Sequence, residues 1–350
     1  MIIFVFFIFL FPQNVSREAL EHLQAGMEAH KQGQLDAAIA EFRRATEIEP
    51  KLAPAFVNLG QAYMEKHDYG SAIAPLKRAL ELNQDLAGAS QLLGYALLAA
   101  GYAAEAIPYL EQVKEQGALG IAQLETGRLP EAVANLQAAL AKRPNDPDLL
   151  YYLGRASGLL SKDVTDALIS AYPDSFRAHQ ALGENYLALR RLPEAEREYR
   201  EALRLRPDVP GLHLALGQVY AMGSQWAKAE DEFRAEAGLQ PGSSEAAYRL
   251  GSALLQQGKA QAAQAELERS DRLKPEMPET LYSLGKAASL NGDSAAAEKA
   301  WTRVIEIEKD SSLAAQAHFG LAALYRKQGR LQDAARETEE FGKLQNKGVR

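Results

Sequence analysis

Six histidines, one glycine- and lysine-bearing stretch and many carboxylates are the residues whose types could do chemistry here, and their spacing argues against each reaction in turn. The histidines are His22, His30, His67, His179, His213 and His318. No two stand four apart with an intervening Glu, the arrangement by which one helix face offers two imidazoles to zinc. Gly251 to Gly258-Lys259 has the residue types of a phosphate-cradling loop. Its spacing is wrong, however, and Ala260 stands where a magnesium-binding hydroxyl belongs. The chain has no cysteine, which excludes disulfides, thiolate metal sites and a cysteine nucleophile. No nucleophile–base pair emerges, so the chain reads as non-enzymatic, with no cofactor and no metal.

Composition narrows the partners. Hydrophobic residues make up 47% and charged ones 24% of 350 residues, the balance of a folded globular chain. With 39 basic and 46 acidic side chains the net charge is −7. Nucleic-acid phosphates would demand a basic face, so no nucleic-acid partner is expected. Length alone suggests two or three domains unless a repeat overrides the count.

Residues 1–11, MIIFVFFIFLF, form an uninterrupted apolar run. A run of this length fits a signal-peptide core and falls short of the roughly 20 residues that cross a bilayer. Residues 1–16 are therefore expected to be a signal peptide or N-terminal membrane anchor, placing the rest in the periplasm or envelope. No basic residue precedes the run, and PQNVSREA carries no clear cleavage site. The alternative is a start-site artefact on a cytoplasmic chain.

From residue 17 onward the sequence repeats. Aligned on a small residue that follows an apolar one, the markers are Gly26, Gly60, Gly94, Gly120, Gly154, Gly183, Gly217, Gly251, Gly285 and Ala322. Their intervals are 34, 34, 26, 34, 29, 34, 34, 34 and 37 residues. Around each marker apolar residues recur with helical period, as in Phe56, Leu59, Gly60 and Tyr63. Seven residues later a breaker often follows (Gly33, Gly101, Gly127, Gly258, Gly292, Gly329), where glycine takes the left-handed conformation without strain. A second helix then sets Ala and a bulky residue four apart, as in Ala38/Phe42, Ala195/Tyr199, Ala229/Phe233 and Ala297/Trp301. Pro50, Pro144, Pro207, Pro241 and Pro275 end their units. A mid-helix glycine costs about 1 kcal/mol relative to Ala, so nine of them imply close approach of a partner helix.

The Leu-Gly-x-x-Tyr, Ala-x-x-x-Phe/Tyr and closing-Pro pattern resembles the tetratricopeptide repeat family over residues 17–348, in about ten units. The resemblance implies an all-α, right-handed superhelical solenoid of antiparallel helix pairs, in which each unit buries its apolar face only by stacking on neighbours. Two short units depart from the pattern. The third lacks eight residues, so its second helix or the next first helix must be truncated. The fifth lacks five, with its second helix, VTDALISAY, stopping before Pro173 and Asp166 standing where Ala belongs. These departures suggest sub-blocks 17–112, 113–175 and 176–348.

The resemblance also implies that the first helices line a concave groove, with the fifth and ninth positions of each unit facing it. The fifth positions include Tyr151, Tyr248, Tyr282 and Phe319; the ninth include Tyr95, Arg155, Glu184 and Lys286. Apolar and aromatic side chains on a concavity suit the anchoring of peptide side chains, with the scattered charges setting register. His179, His213 and His318 share the fourth position, a packing site. A carboxylate-clamp specialisation is not expected, because only Asn58 matches, with Leu23, Met27, Gly88 and Leu92 in the other places. The expectation is a non-catalytic scaffold that binds peptide segments or partner proteins, in envelope assembly, secretion or export. An accessory subunit of an enzyme complex is the alternative, and homo-oligomerisation stays open.

Overall fold

The computed structural model describes residues 15–86 and 88–347. Residues 1–14, which carry the expected leader or anchor, lie outside the described residues. Within them, no helix is long and apolar enough to cross a membrane.

Every regular element among the described residues is an α-helix, as the 3.6-residue apolar period requires. Contacts divide the chain between Val164 and Thr165. The first part holds four antiparallel pairs: α1 (Arg17–Lys31) with α2 (Leu35–Ile48), α3 (Ala53–Glu65) with α4 (Tyr69–Leu82), α5 (Ala89–Ala99) with α6 (Ala103–Gln112), and α7 (Gln116–Glu125) with α8 (Leu129–Lys142). A long helix, α9 (Pro147–Ala171), begins in this part and carries the division. The second part holds five pairs: α10 (Phe176–Ala188) with α11 (Leu192–Leu205), α12 (Leu212–Met222) with α13 (Trp226–Leu239), α14 (Ser244–Gln256) with α15 (Ala260–Leu273), α16 (Pro278–Asn291) with α17 (Ser294–Glu308), and α18 (Ser312–Lys327) with α19 (Leu331–Lys347). Within each part, the second helix of a pair also packs on the first helix of the next.

The marker glycines explain the pairing. A Cβ built on Gly26, Gly60, Gly94, Gly120, Gly183, Gly217, Gly251 or Gly285 would lie 2.5–2.9 Å from a side chain sixteen residues further on. Those side chains are Phe42, Leu76, Leu110, Leu136, Tyr199, Phe233, Leu267 and Trp301, all buried. The Ala four residues before each is buried too, as at Ala38, Ala195, Ala229 and Ala297. Each bulky residue thus fills a notch that only a glycine leaves open, and the helix-propensity cost of that glycine is offset by burial worth about 1.5–3 kcal/mol per large side chain.

The turns behave as the breaker pattern requires. All six breaker glycines have φ between +74° and +86°. At the same position in other units stand His67, Arg190 and Ser224, with φ of +59°, +56° and +56°. The turn geometry belongs to the repeat, and these three side chains are held in it against their preference. Helix starts are capped where the sequence offers a short polar side chain: the Ser175, Ser243 and Ser311 hydroxyls and the Asp293 carboxylate each accept a backbone N–H three residues on, at 3.0–3.1 Å.

The two short units resolve differently from each other. In the third, both α6 and α7 shorten to 10 residues, so the deletion is shared between them. The fifth corrects the sequence reading: VTDALISAY is not a separate second helix but the continuation of α9, which runs unbroken for 25 residues. The reason is local. The missing five residues leave no chain for a turn, so the backbone stays helical through Ser161 at the breaker position, whereas Ser224 turns at the same position of a full-length unit.

Candidate interaction surface

The residues expected to face the groove fall in both parts of the chain. In the first part, Tyr95 on α5 is half-buried, and its hydroxyl accepts a bond from Gln91 Nε2 at 3.3 Å. Burial pushes the Tyr95 hydroxyl pKa up, only partly offset by that bond. Tyr151 on α9 is 61% exposed and stands edge-on to Tyr152, with ring centroids 5.2 Å apart. The Arg155 guanidinium lies 6.0 Å from the Tyr151 ring and bonds Glu125 on α7 at 3.3 Å. Tyr151 and Arg155 therefore form one exposed aromatic–cation cluster, separate from Tyr95.

In the second part, Glu184 on α10 is exposed and accepts a bond from Gln180 Nε2 at 3.0 Å. Tyr248 on α14 is half-buried with Arg249 6.0 Å from its ring. Tyr282 on α16 packs against the core around Trp301, whose Nε1 donates to the Tyr282 carbonyl at 3.2 Å. Burial raises the Tyr282 hydroxyl pKa. Lys286, one turn further along α16, is exposed. Phe319 on α18 is 57% exposed, with its ring tilted against Phe341 of α19 at 5.5 Å. The three aromatic residues at one repeat position thus differ: Phe319 presents its ring to solvent, while Tyr248 and Tyr282 share theirs with the core.

A cavity of about 310 Å³ opens beside Tyr248, between α12, α13 and α14, and is lined by Gln218, Met222, Arg249, Ser252 and Gln256 among others. The Ser252 hydroxyl oxygen is buried there with no hydrogen-bond partner among the described residues. Ser252 and Gln218 occupy the ninth position of their units, so the sequence pattern reaches them, although it did not single them out. A larger hollow of about 660 Å³ runs along α11. Its arginines are already engaged: Arg197 with Glu198, Arg200 with Glu196 and Arg204 with Glu201, at 2.6–2.8 Å. It offers no unpaired charge to a ligand.

The histidines are bonded rather than merely packed. His22, His179, His213 and His318 each place Nδ1 2.6–2.7 Å from a Glu nineteen residues on, on the second helix of the same pair, at Glu41, Glu198, Glu232 and Glu337. His22 belongs to this set as well as the three expected. The signal was available in the sequence as a Glu nineteen residues after each His. Among the described residues, no group of three or more His, Asp or Glu side chains is placed to hold a metal ion.

The family pattern described as "TPR repeat" matches residues 26–67 and 120–158. The one described as "Tetratricopeptide repeat" matches 57–118 and, in overlapping copies, 180–340, more than half of the chain. The chain belongs to the tetratricopeptide repeat family. Its fold is that of a protein–protein interaction scaffold. No curated protein matches the sequence. Among solved structures, MamA from Desulfovibrio magneticus RS-1 is 20% identical, with a TM-score of 0.47 over 50% of this chain and 97% of that one. Yeast Tom70 is 13% identical, with a TM-score of 0.40 over 93% and 92%. The Cut9–Hcn1 complex of the APC/C gives 14% identity and a TM-score of 0.43 over 94% and 87%.

Proposed function

We propose that this tetratricopeptide-repeat chain is a non-catalytic scaffold that captures segments of partner proteins along the exposed face of its first helices. The observation that carries the reading is the cavity beside Tyr248, where a buried, unpartnered Ser252 hydroxyl meets amide and guanidinium side chains within an otherwise apolar wall. A partner's backbone or polar side chain would satisfy that hydroxyl, and apolar anchors would supply the affinity. Phe319 and Lys286 extend the same face with one exposed ring and one exposed charge. The apolar run of residues 1–11 supports placement of the scaffold at the envelope, exported or tethered, in assembly or secretion.

A photocrosslinking residue installed at Tyr248 or Phe319 is expected to yield discrete adducts in cells, concentrated in the membrane or periplasmic fraction. The same residue at Leu331, exposed on the first turn of α19, should yield none of them. Adducts identical at all three positions would refute groove recognition. Adducts confined to the cytoplasmic fraction would refute the placement.

A further inference from the structure

The first part of the chain lacks one helix that its own repeat register demands. In the pairs, positions four, eight and eleven of the first helix lie under the second helix. Position four is buried at Ser90, Leu281 and His318, and position eleven at Leu97, Tyr220 and Leu254. On α9 the same three positions are Leu150, Gly154 and Ser157. Leu150 is 50% exposed, Ser157 is exposed, and a Cβ on Gly154 would meet nothing within 4 Å. The neighbouring flank of α9 is fully engaged, since Leu149 and Ala156 are buried in one cluster with Leu129 and Leu136 of α8. The bare face is therefore the continuation of an interface that α7, α8 and α9 already build, stopping where a second helix would lie.

We propose that this face of α9 is a docking site for an amphipathic helix supplied by another polypeptide, seated in place of the missing second helix. The chain itself shows what covers such a face. Eight times over, the cover is a helix with Ala followed four residues later by Leu, Phe, Tyr or Trp, the larger side chain entering the glycine notch. A second copy of the chain cannot supply it from these helices, because each described second helix already sits on its own first helix. The occupant is thus a partner helix bearing an Ala-x-x-x-bulky stripe. Gly154 receives the bulky residue, and Leu150 and Ser157 flank it one turn to either side. This site lies on a different face from the groove proposed above and does not depend on it.

The test uses the full chain and a fluorescein-labelled, lactam-bridged peptide of residues 226–239, whose Ala229 and Phe233 carry the stripe. Saturable binding to the wild-type chain is expected, weakened by roughly tenfold or more for Gly154→Leu and for the peptide with Phe233→Ala. Because nothing contacts the Gly154 notch and helix propensity favours Leu over Gly, Gly154→Leu should melt at or above the wild-type temperature, so loss of binding cannot be blamed on unfolding. Absence of binding to the wild-type chain overturns the proposal, as does equal binding by Gly154→Leu, which would point to exchange with α13. Sedimentation equilibrium adds a third arm. A wild-type dimer that Gly154→Leu converts to monomer would give the face to a second copy and overturn assignment to a foreign helix.

Discussion

His318 Nδ1 lies 2.6 Å from Glu337 Oε2, and the same bond, nineteen residues long in sequence, ties the two helices of three other pairs through His22–Glu41, His179–Glu198 and His213–Glu232. It fastens repeat position four, on the first helix, to the second helix of the same pair. Both ends are buried in the last pair, where His318 and Glu337 are each 8% exposed. Removing the imidazole leaves a buried carboxylate with one 3.3 Å bond from Arg336. His318→Ala is expected to lower stability by about 1–3 kcal/mol, read as a lower urea midpoint with an unchanged slope. An unchanged midpoint would show that the bond contributes nothing net.

At His213 the same bond has a pH signature. The hydrogen bond to Glu232 raises the His213 pKa above its usual 6.5, with burial opposing. A group whose pKa is raised by folding stabilises the fold fully below the unfolded value and loses that contribution as pH climbs through the folded value. The stability gap between wild type and His213→Asn should therefore be widest below about pH 6.5 and should narrow above it. A gap that widens with rising pH would contradict the pairing.

Gly217 and Gly154 hold the same repeat position and should respond oppositely to one methyl group. At Gly217 the new Cβ would lie 2.5 Å from the Phe233 ring, so the ring or the helix must move. Gly217→Ala is expected to cost about 1–3 kcal/mol by overpacking. At Gly154 nothing lies within 4 Å, and helix propensity favours Ala by about 0.5–1 kcal/mol. Thermal melts of the two variants, one falling and one rising, check this directly. A destabilised Gly154→Ala would mean that the face is already covered.

That contrast also marks how far the sequence could be read. The period, the notch glycines and the breakers are chemical necessities of close-packed helices, so Gly26 or Gly258 announces its role from its spacing alone. The fifth unit misled because Gly154 keeps the marker while five residues are lost from the stretch that would turn. Pattern matching sees a unit, whereas the backbone, without a turn, sees one helix. The interaction face was legible only as a list of positions. Whether a ring faces solvent, as in Phe319, or leans into the core, as in Tyr282, depends on neighbours such as Phe341 and Trp301 that lie nineteen or more residues away.

Arg190 and Ser224 occupy left-handed turn positions that six other units give to glycine. An L-residue with a Cβ loses roughly 1–2 kcal/mol there, while glycine gives back about 0.4–1 kcal/mol through the entropy of the unfolded chain. Arg190→Gly and Ser224→Gly are each expected to raise stability by about 0.5–1 kcal/mol. The reverse change, Gly258→Arg, should lower it by a similar amount. Paired chemical-denaturation curves decide the sign, and destabilisation by both glycine variants would show that the side chains contribute contacts outweighing the strain.

Glu230 on α13 sits where three donors converge: Lys259 Nζ and Arg234 at 2.6 Å, and Gln257 Nε2 at 2.8 Å. Burial opposes the charged form, but these bonds win and hold its carboxyl down to about 2, against an ordinary 4.5. A carboxylate depressed by folding stabilises fully above the unfolded value, and that contribution drains away as pH falls toward the folded value. Lys259 begins the turn into α15 and Gln257 ends α14, so the cluster fastens one repeat's second helix to the next repeat. Wild type should lose stability relative to Lys259→Met between about pH 4.5 and pH 2, with the difference constant above that range. The variant itself should be less stable at neutral pH by about 1–3 kcal/mol, the cost of an under-bonded buried carboxylate. Urea midpoints measured across the acid range give both quantities, and parallel curves for the two proteins would show that Lys259 does not set the Glu230 titration.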